Sequence, residues 1–302
     1  MILTSNLFYF KTYKVLIISY YFCLFFIAFL CKKMPKDNRM YILLNNYDNP
    51  FFSIIIPVFN KFQYLNRSFS SILCQNFSNY EIIYCDDGST DGSVEYIENL
   101  SHYYSKIRLI KHEKNLGTLN TRVDAIRSAE GRYIVSLDPD DEYKCGLLNE
   151  LHKYLSHKRY DIVEFQNIKW QHKTKHLFNK SKFVELNRSA LLNRRVLWSL
   201  VLKCFRREVL LKGIDNLDKK FFNMHLSSAE DLVILLYTLV FCDNYLIIDY
   251  GGYYYYQYLP GSSSACGYLN CKKKKKLVRS VWRDAKNFWL KNKLNFVHVL
   301  PK

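Results

Sequence analysis

An α/β fold built on a parallel sheet is predicted by three features of the sequence. Short apolar runs alternate with segments of helical spacing from Phe52 to Leu137. Alternation of that kind means repeated strand–helix–strand units, whose strands lie parallel. Polar and acidic clusters follow several of the apolar runs, at the strand ends where such sheets bind ligands.

The elements follow in order. Residues 52–59 (FSIIIPVF) read as a strand covered on both faces, with a proline that should end it. Phe62, Leu65, Phe69, Ile72 and Leu73 recur at helical spacing. Residues 81–85 (EIIYC) are a second strand, and 93–100 a helix opened by Asp91. Residues 107–110 form a third strand and 116–129 a helix. Residues 133–137 form the fourth strand, which runs into Asp138-Pro139-Asp140-Asp141. The alternating stretch 161–170 is a later strand, and 232–241 an apolar run opened by Glu230 and Asp231.

Bulk properties narrow the function classes. The 302 residues allow one or two domains with a sizeable core, and 49% apolar with 24% charged residues is ordinary for a globular chain. The net charge of +17 is not ordinary. It suits nucleic acid, an anionic membrane or a phosphorylated substrate. No zinc-finger spacing, aromatic ribonucleoprotein motif or basic zipper accompanies it, so nucleic acid is not expected as a partner. The lysine run at 272–276 reads as a solvated face or a frayed tail. Nine scattered cysteines, without C-x-x-C or zinc spacing, read as small buried hydrophobes in a reducing compartment.

Residues 15–31 (VLIISYYFCLFFIAFLC) are uncharged and long enough, at roughly 25 Å of helix, to reach across a bilayer. A cleaved signal peptide is the rival, but small residues at a cleavage site are scarce, which favours a retained single-pass anchor. Lys32, Lys33, Lys36 and Arg39 outnumber Lys11 and Lys14, which places the following domain on the cytoplasmic side. Five Asn-x-Ser sites (Asn66, Asn76, Asn99, Asn179, Asn187) would suit the lumenal side, although an Asn- and Ser-rich chain produces them by chance.

Five clusters carry the candidate chemistry: Pro57-Val58-Phe59-Asn60; Asp86-Asp87-Gly88-Ser89-Thr90-Asp91-Gly92; Asn115-Leu116-Gly117-Thr118 with Arg122; Asp138-Pro139-Asp140-Asp141; and Glu230-Asp231. In the second, Ser89, Thr90 or Asp91 can cap the next helix, which leaves Asp86 and Asp87 for a base or ribose. In the fourth, closely spaced carboxylates call for a cation, and Mg²⁺ or Mn²⁺ commonly shares such oxygens with substrate phosphates.

Together these clusters, in this order and spacing, resemble the inverting glycosyltransferases of family 2, with the GT-A fold. The likeness runs from about 51 to 161 and resumes around Trp198 and Glu230-Asp231. It implies a mostly parallel central sheet flanked by helices, preceded here by the transmembrane segment. The chain would divide into tail and anchor (1–33), connector (34–50), nucleotide-sugar-binding half (51–160), acceptor-binding half with the base (161–260) and basic C-terminal tail or helix (261–302).

The resemblance also implies roles. Pro57, Val58 and Phe59 would contact the nucleotide base, Asp87 would bond the uracil ring with Asp86 nearby, and Arg122 would serve the nucleotide. Asp140 would ligate Mn²⁺ or Mg²⁺, and Asp138 would face ribose or metal, with Asp141 behind them. Asp231 would be the catalytic base, with Glu230 beside it. The reaction would move one hexose-type sugar from a UDP-sugar to a hydroxyl of a glycan, lipid or protein acceptor. Many members carry an Arg where Gln257 stands, so a cationic phosphate contact is missing there. The alternative is an inactive, membrane-tethered relative that only binds. A dinucleotide-binding dehydrogenase and a P-loop enzyme are disfavoured, because their glycine-rich loops are absent.

Overall fold

The computed structural model describes residues 49–169, 184–187, 197–224, 226, 229–256 and 271–292, with backbone alone at 169 and 271–275. They belong to one compact unit of the chain, which begins at Asn49. The expected anchor at 15–31 and Gln257 lie outside the described residues. Among the described residues, no helix is long and apolar enough to cross a membrane.

The expected alternation is present. Strand β1 (Phe52–Val58) leads to α1 (Phe62–Leu73), β2 (Tyr80–Asp86), α2 (Ser93–Tyr103), β3 (Ile107–Lys111), α3 (Thr118–Ser128) and β4 (Tyr133–Ser136). A short β5 (Glu142–Tyr143) and α4 (Leu147–Leu155) precede β6 (Ile162–Lys169) and β7 (Val184–Asn187). A 3-10 turn at Leu200–Leu202 enters β8 (Lys203–Arg206), followed by α5 (Arg207–Asp215), α6 (Lys219–Phe222), α7 (Glu230–Leu239), β9 (Asn244–Tyr255) and α8 (Cys271–Lys291).

One nine-stranded sheet runs in the order β3-β2-β1-β4-β8-β6-β9-β5, with β7 also paired to β9. The β3-β2-β1-β4 run is parallel. Beyond β4 the sheet is mixed: β8 lies antiparallel to both β4 and β6, and β6 runs parallel to β9. Register decides what meets at the sheet edge. Val58 pairs with Asp86, and Ile55 with Ser136, so all three strands release their chain on the same side.

Two apolar layers sandwich the sheet, because successive strand residues point to opposite faces. Ile54, Ile56 and Val58 pack with α1, α2 and α4 through Leu65, Phe69, Ile97 and Leu151. Ile55, Ile83 and Cys85 pack with α3, α5 and α7 on the other face. That double burial explains the continuous apolar run of β1.

Three expectations need correction. β1 does not stop at Pro57, which pairs with Cys85 of β2; β4 leaves β1 two residues earlier, at Ile55. A proline is tolerated where one neighbour has already departed. The cysteines are not all unpaired: Cys74, at the end of α1, is bonded to Cys145, 71 positions later in the sequence, with Cα atoms 5.3 Å apart. Gln75 braces the same junction, donating to the Lys144 carbonyl and accepting from the Leu148 amide. Cys85 and Cys204 are buried thiols. Finally, the lysine run is not a frayed tail but lies within α8, which buries Val278, Val281, Ala285 and Trp289 against the domain.

Candidate functional site

The site forms where the parallel strands end. Asn60, after β1, has a left-handed φ of 51°, a conformation asparagine tolerates. The turn it makes interlocks with the loop after β2. Asn60 N donates to Ser89 Oγ (2.9 Å), Lys61 N to Ser93 Oγ (3.1 Å) and Phe62 N to Asp91 Oδ2 (2.9 Å). In return, Thr90 N donates to Asn60 Oδ1 (2.9 Å). The Ser-Thr-Asp residues of that loop are therefore acceptors and donors for the first turn, which is why the two clusters occur together. Pro57 and Val58 lie buried in β1, and the Val58 carbonyl accepts from Asp87 N. Only Phe59, 43% exposed, presents a face to a ligand.

Asp86 and Asp87 differ in what their carboxylates bond. Asp87 accepts from Leu116 N (2.8 Å), Gly117 N (2.9 Å) and His112 Nδ1 (2.9 Å), so its carboxylate is spent on the loop before α3. This delays that helix, expected from 116, to Thr118. Asp86 Oδ2 accepts from Gly88 N and Ser89 N, while its buried Oδ1 has no hydrogen-bond partner. A buried carboxylate oxygen without a donor is costly unless a ligand supplies one. Of the two, Asp86 keeps an oxygen without a hydrogen-bond partner, and that oxygen is buried.

Arg122 does not lie open to a nucleotide either. Its side chain is buried, donating to Ser136 Oγ (2.6 Å) and Asp138 Oδ1 (2.7 Å). Its Nε lies 3.7 Å from Asp231 Oδ1 and 3.9 Å from Glu230 Oε1. One guanidinium thus joins the acidic loop to two carboxylates some ninety residues later.

The acidic loop is braced from β9. Tyr253 Oη donates to Asp141 Oδ2 (2.8 Å) and accepts from Asp138 N (3.2 Å); Tyr256 N donates to Asp141 Oδ1 (2.8 Å). Burial and the neighbouring Asp138 push the Asp141 carboxyl up to about 8. Asp140 faces outward to Lys61 Nζ at 2.7 Å, and its carbonyl accepts from Arg67.

Glu230 and Asp231 open α7 after Ala229, whose φ is 71°. Asp231 Oδ2 accepts from Leu200 N (3.2 Å), while Oδ1 has no hydrogen-bond partner. The side chain as a whole is 27% exposed, although Oδ1 itself is buried. Desolvation raises its pKa, opposed by Arg122. Desolvation, then the Asp231 charge, push Glu230 up to about 7.

Sequence reasoning missed three supporting residues. Lys203 is fully buried, with Nζ donating to Ser199 O (2.9 Å) and the Leu197 carbonyl, 3.3 Å from Glu164 Oε2; Tyr245 donates to Glu164. It fixes the turn that delivers the Leu200 amide to Asp231. A lysine inside the apolar run LVLKCF was the available signal. His112 and Lys61 had no such signal, because their partners lie far away in sequence; Tyr253 opens the tyrosine-rich segment that resembles one found in the family, but its bond to Asp141 was not foreseen.

Among the described residues, no group of three or more His, Cys, Asp and Glu is arranged to hold a metal alone. Asp138 and Asp140 are hard oxygen donors that already draw cations, Arg122 and Lys61. They fit a Mn²⁺ or Mg²⁺ ion completed by a diphosphate rather than caged by protein.

The GT-A-like α/β sheet gathers these carboxylates at its strand ends, and comparison with known proteins supplies the class. The profile described as "Glycosyl transferase family 2" matches residues 53–215, more than half of the chain. The chain belongs to that family. It is 34% identical over 124 residues to an uncharacterized glycosyltransferase of Haemophilus influenzae Rd, covering 39% of this chain and 50% of that protein. It is 36% identical over 117 residues to the putative colanic acid biosynthesis glycosyl transferase WcaA of Escherichia coli K12, covering 37% and 39%. The chain therefore spans half or less of these relatives. Among solved structures, S. aureus TarS 1-349 in complex with UDP-GlcNAc superposes with a TM-score of 0.65 at 21% identity, covering 78% of this chain and 66% of that one.

Proposed function

We propose that the protein transfers a single sugar from a UDP-sugar to an acceptor hydroxyl by metal-assisted, inverting displacement. The observation that carries the reading is Arg122, which holds Asp138 of the acidic loop within one side chain of Asp231. The TarS complexes with UDP and with UDP-GlcNAc support the choice of donor.

Asp86 Oδ1 would accept from the base ring N–H, and Phe59 would lie against the base. Asp140, with Asp138, would hold Mn²⁺ or Mg²⁺, which when bound supplies charge stabilisation to the departing diphosphate. Asp231 would take the proton from the acceptor hydroxyl. That oxygen bonds to the anomeric carbon as the bond to the diphosphate breaks on the opposite face, and UDP leaves with the electron pair. Inversion follows from a single displacement. Residues 15–31 would anchor the enzyme in the membrane, with the domain on the cytoplasmic side.

A panel of nucleotide sugars, read by released nucleotide with and without Mn²⁺, tests this function. Asp231→Asn should keep UDP and Mn²⁺ affinity within a few-fold, yet lose about 10²- to 10⁴-fold in transfer. A variant that transfers like the parent would place the base elsewhere. A parent that binds UDP but never turns over would mark an inactive binding subunit.

A further inference from the structure

We propose that Lys61 is a built-in competitor for the metal position: its ammonium occupies the cation side of Asp140 in the nucleotide-free protein and yields to the divalent ion. This rests on the proposed metal-assisted reading of the acidic loop. The Lys61–Asp140 contact is 2.7 Å, and both side chains are only 13% exposed, so solvent screens it little.

The two ends of the pair are held differently from its middle. The Lys61 backbone is locked by its amide bond to Ser93 and by the flanking bonds of Asn60 and Phe62. Asp140 is held through its carbonyl by Arg67, and its loop by Tyr253 and Tyr256 through Asp141. The lysine stem, with four carbons and rotatable bonds, is the part that can swing without disturbing either backbone. Asp138 has no such freedom, because its partner Arg122 is buried and also bonded to Ser136. Asp140 is thus the carboxylate that can be vacated, and Asp138 the one kept in place.

Two consequences follow. Mn²⁺ binding to the nucleotide-free protein is weakened, since the ion must expel the ammonium from Asp140. Binding of UDP and metal becomes mutually favourable, because the displaced ammonium, still tethered at the strand end, pairs with diphosphate oxygens. Coupling of this kind is reciprocal.

The full-length protein in detergent, titrated with Mn²⁺ and followed by the electron paramagnetic resonance signal of the free ion, tests the proposal. Lys61→Met should bind Mn²⁺ at least tenfold more tightly than the parent without nucleotide, and should gain less from added UDP. Lys61→Arg should resemble the parent. If Lys61→Met binds no more tightly while Asp140→Asn abolishes binding, the competitor role is overturned and the metal site stands. If Asp140→Asn leaves Mn²⁺ binding intact, the metal lies elsewhere and both readings fall.

Discussion

At the residue scale, adjacent carboxylates divide their work by environment. Glu230 and Asp231 share the first turn of α7, but burial pushes the Glu230 carboxyl up to about 7. Glu230 is thus largely protonated below neutrality, when an unfolded-chain Glu is already ionised. The unfolded state then holds fewer protons, and stability falls as pH rises from the ordinary glutamate range through 7. The loss is on the order of 2–3 kcal/mol. The urea midpoint of the parent should therefore drop between pH 5 and 8, and Glu230→Gln should flatten part of that drop. Asp141, pushed up to about 8, acts in the same direction and leaves a residual slope. A variant with the parent's full slope would mean that Glu230 is ionised throughout. The acidic residues were legible as a set from their placement after strands. Their individual tasks were not: Asp86 and Asp87 are neighbours in sequence, and only the loop at 115–117 decides which keeps an open oxygen.

At the element scale, a polar side chain from one segment often completes another. The strand and helix periodicities of residues 52–137 were readable locally, because each apolar run reports its own burial. The late start of α3 was not, since it depends on amides captured by Asp87 some thirty residues earlier. The turn before β8 is the same kind of case. Lys203 pays for its burial through two carbonyls and Glu164, so removing one charge strands the other. Lys203→Met should cost about 3–5 kcal/mol in urea unfolding. Adding Glu164→Leu should restore part of it, since the remaining charge is then gone. A single variant as stable as the parent would show that the buried pair contributes nothing.

At the scale of the whole molecule, the parallel character of β1 to β4 was legible in the alternation of strands and helices, whereas their order, with β4 beside β1 and not beside β3, was not. The mixed extension was hidden: β8 inserts between β4 and β6, and β9 reaches both β6 and β5. Nothing local in those segments announces such distant pairings. The contact of Cys74 with Cys145 was concealed for the same reason, as it depends on α1 packing beside β5 across 71 residues.

That pair can act as a compartment gauge. Disulfides persist in oxidising compartments, whereas cytosolic thiols are kept reduced. A domain on the cytoplasmic face, as the lysine count around 15–31 proposes, would carry this bond open in living cells and closed after purification in air. Acid-quenched cells labelled with a thiol-reactive polymer should then show no gain of labels upon added reductant, whereas purified protein should gain two, a gain lost in Cys74→Ser/Cys145→Ser. A gain of two in quenched cells would turn the anchor around, reading from one bond which side of the membrane the sugar chemistry faces.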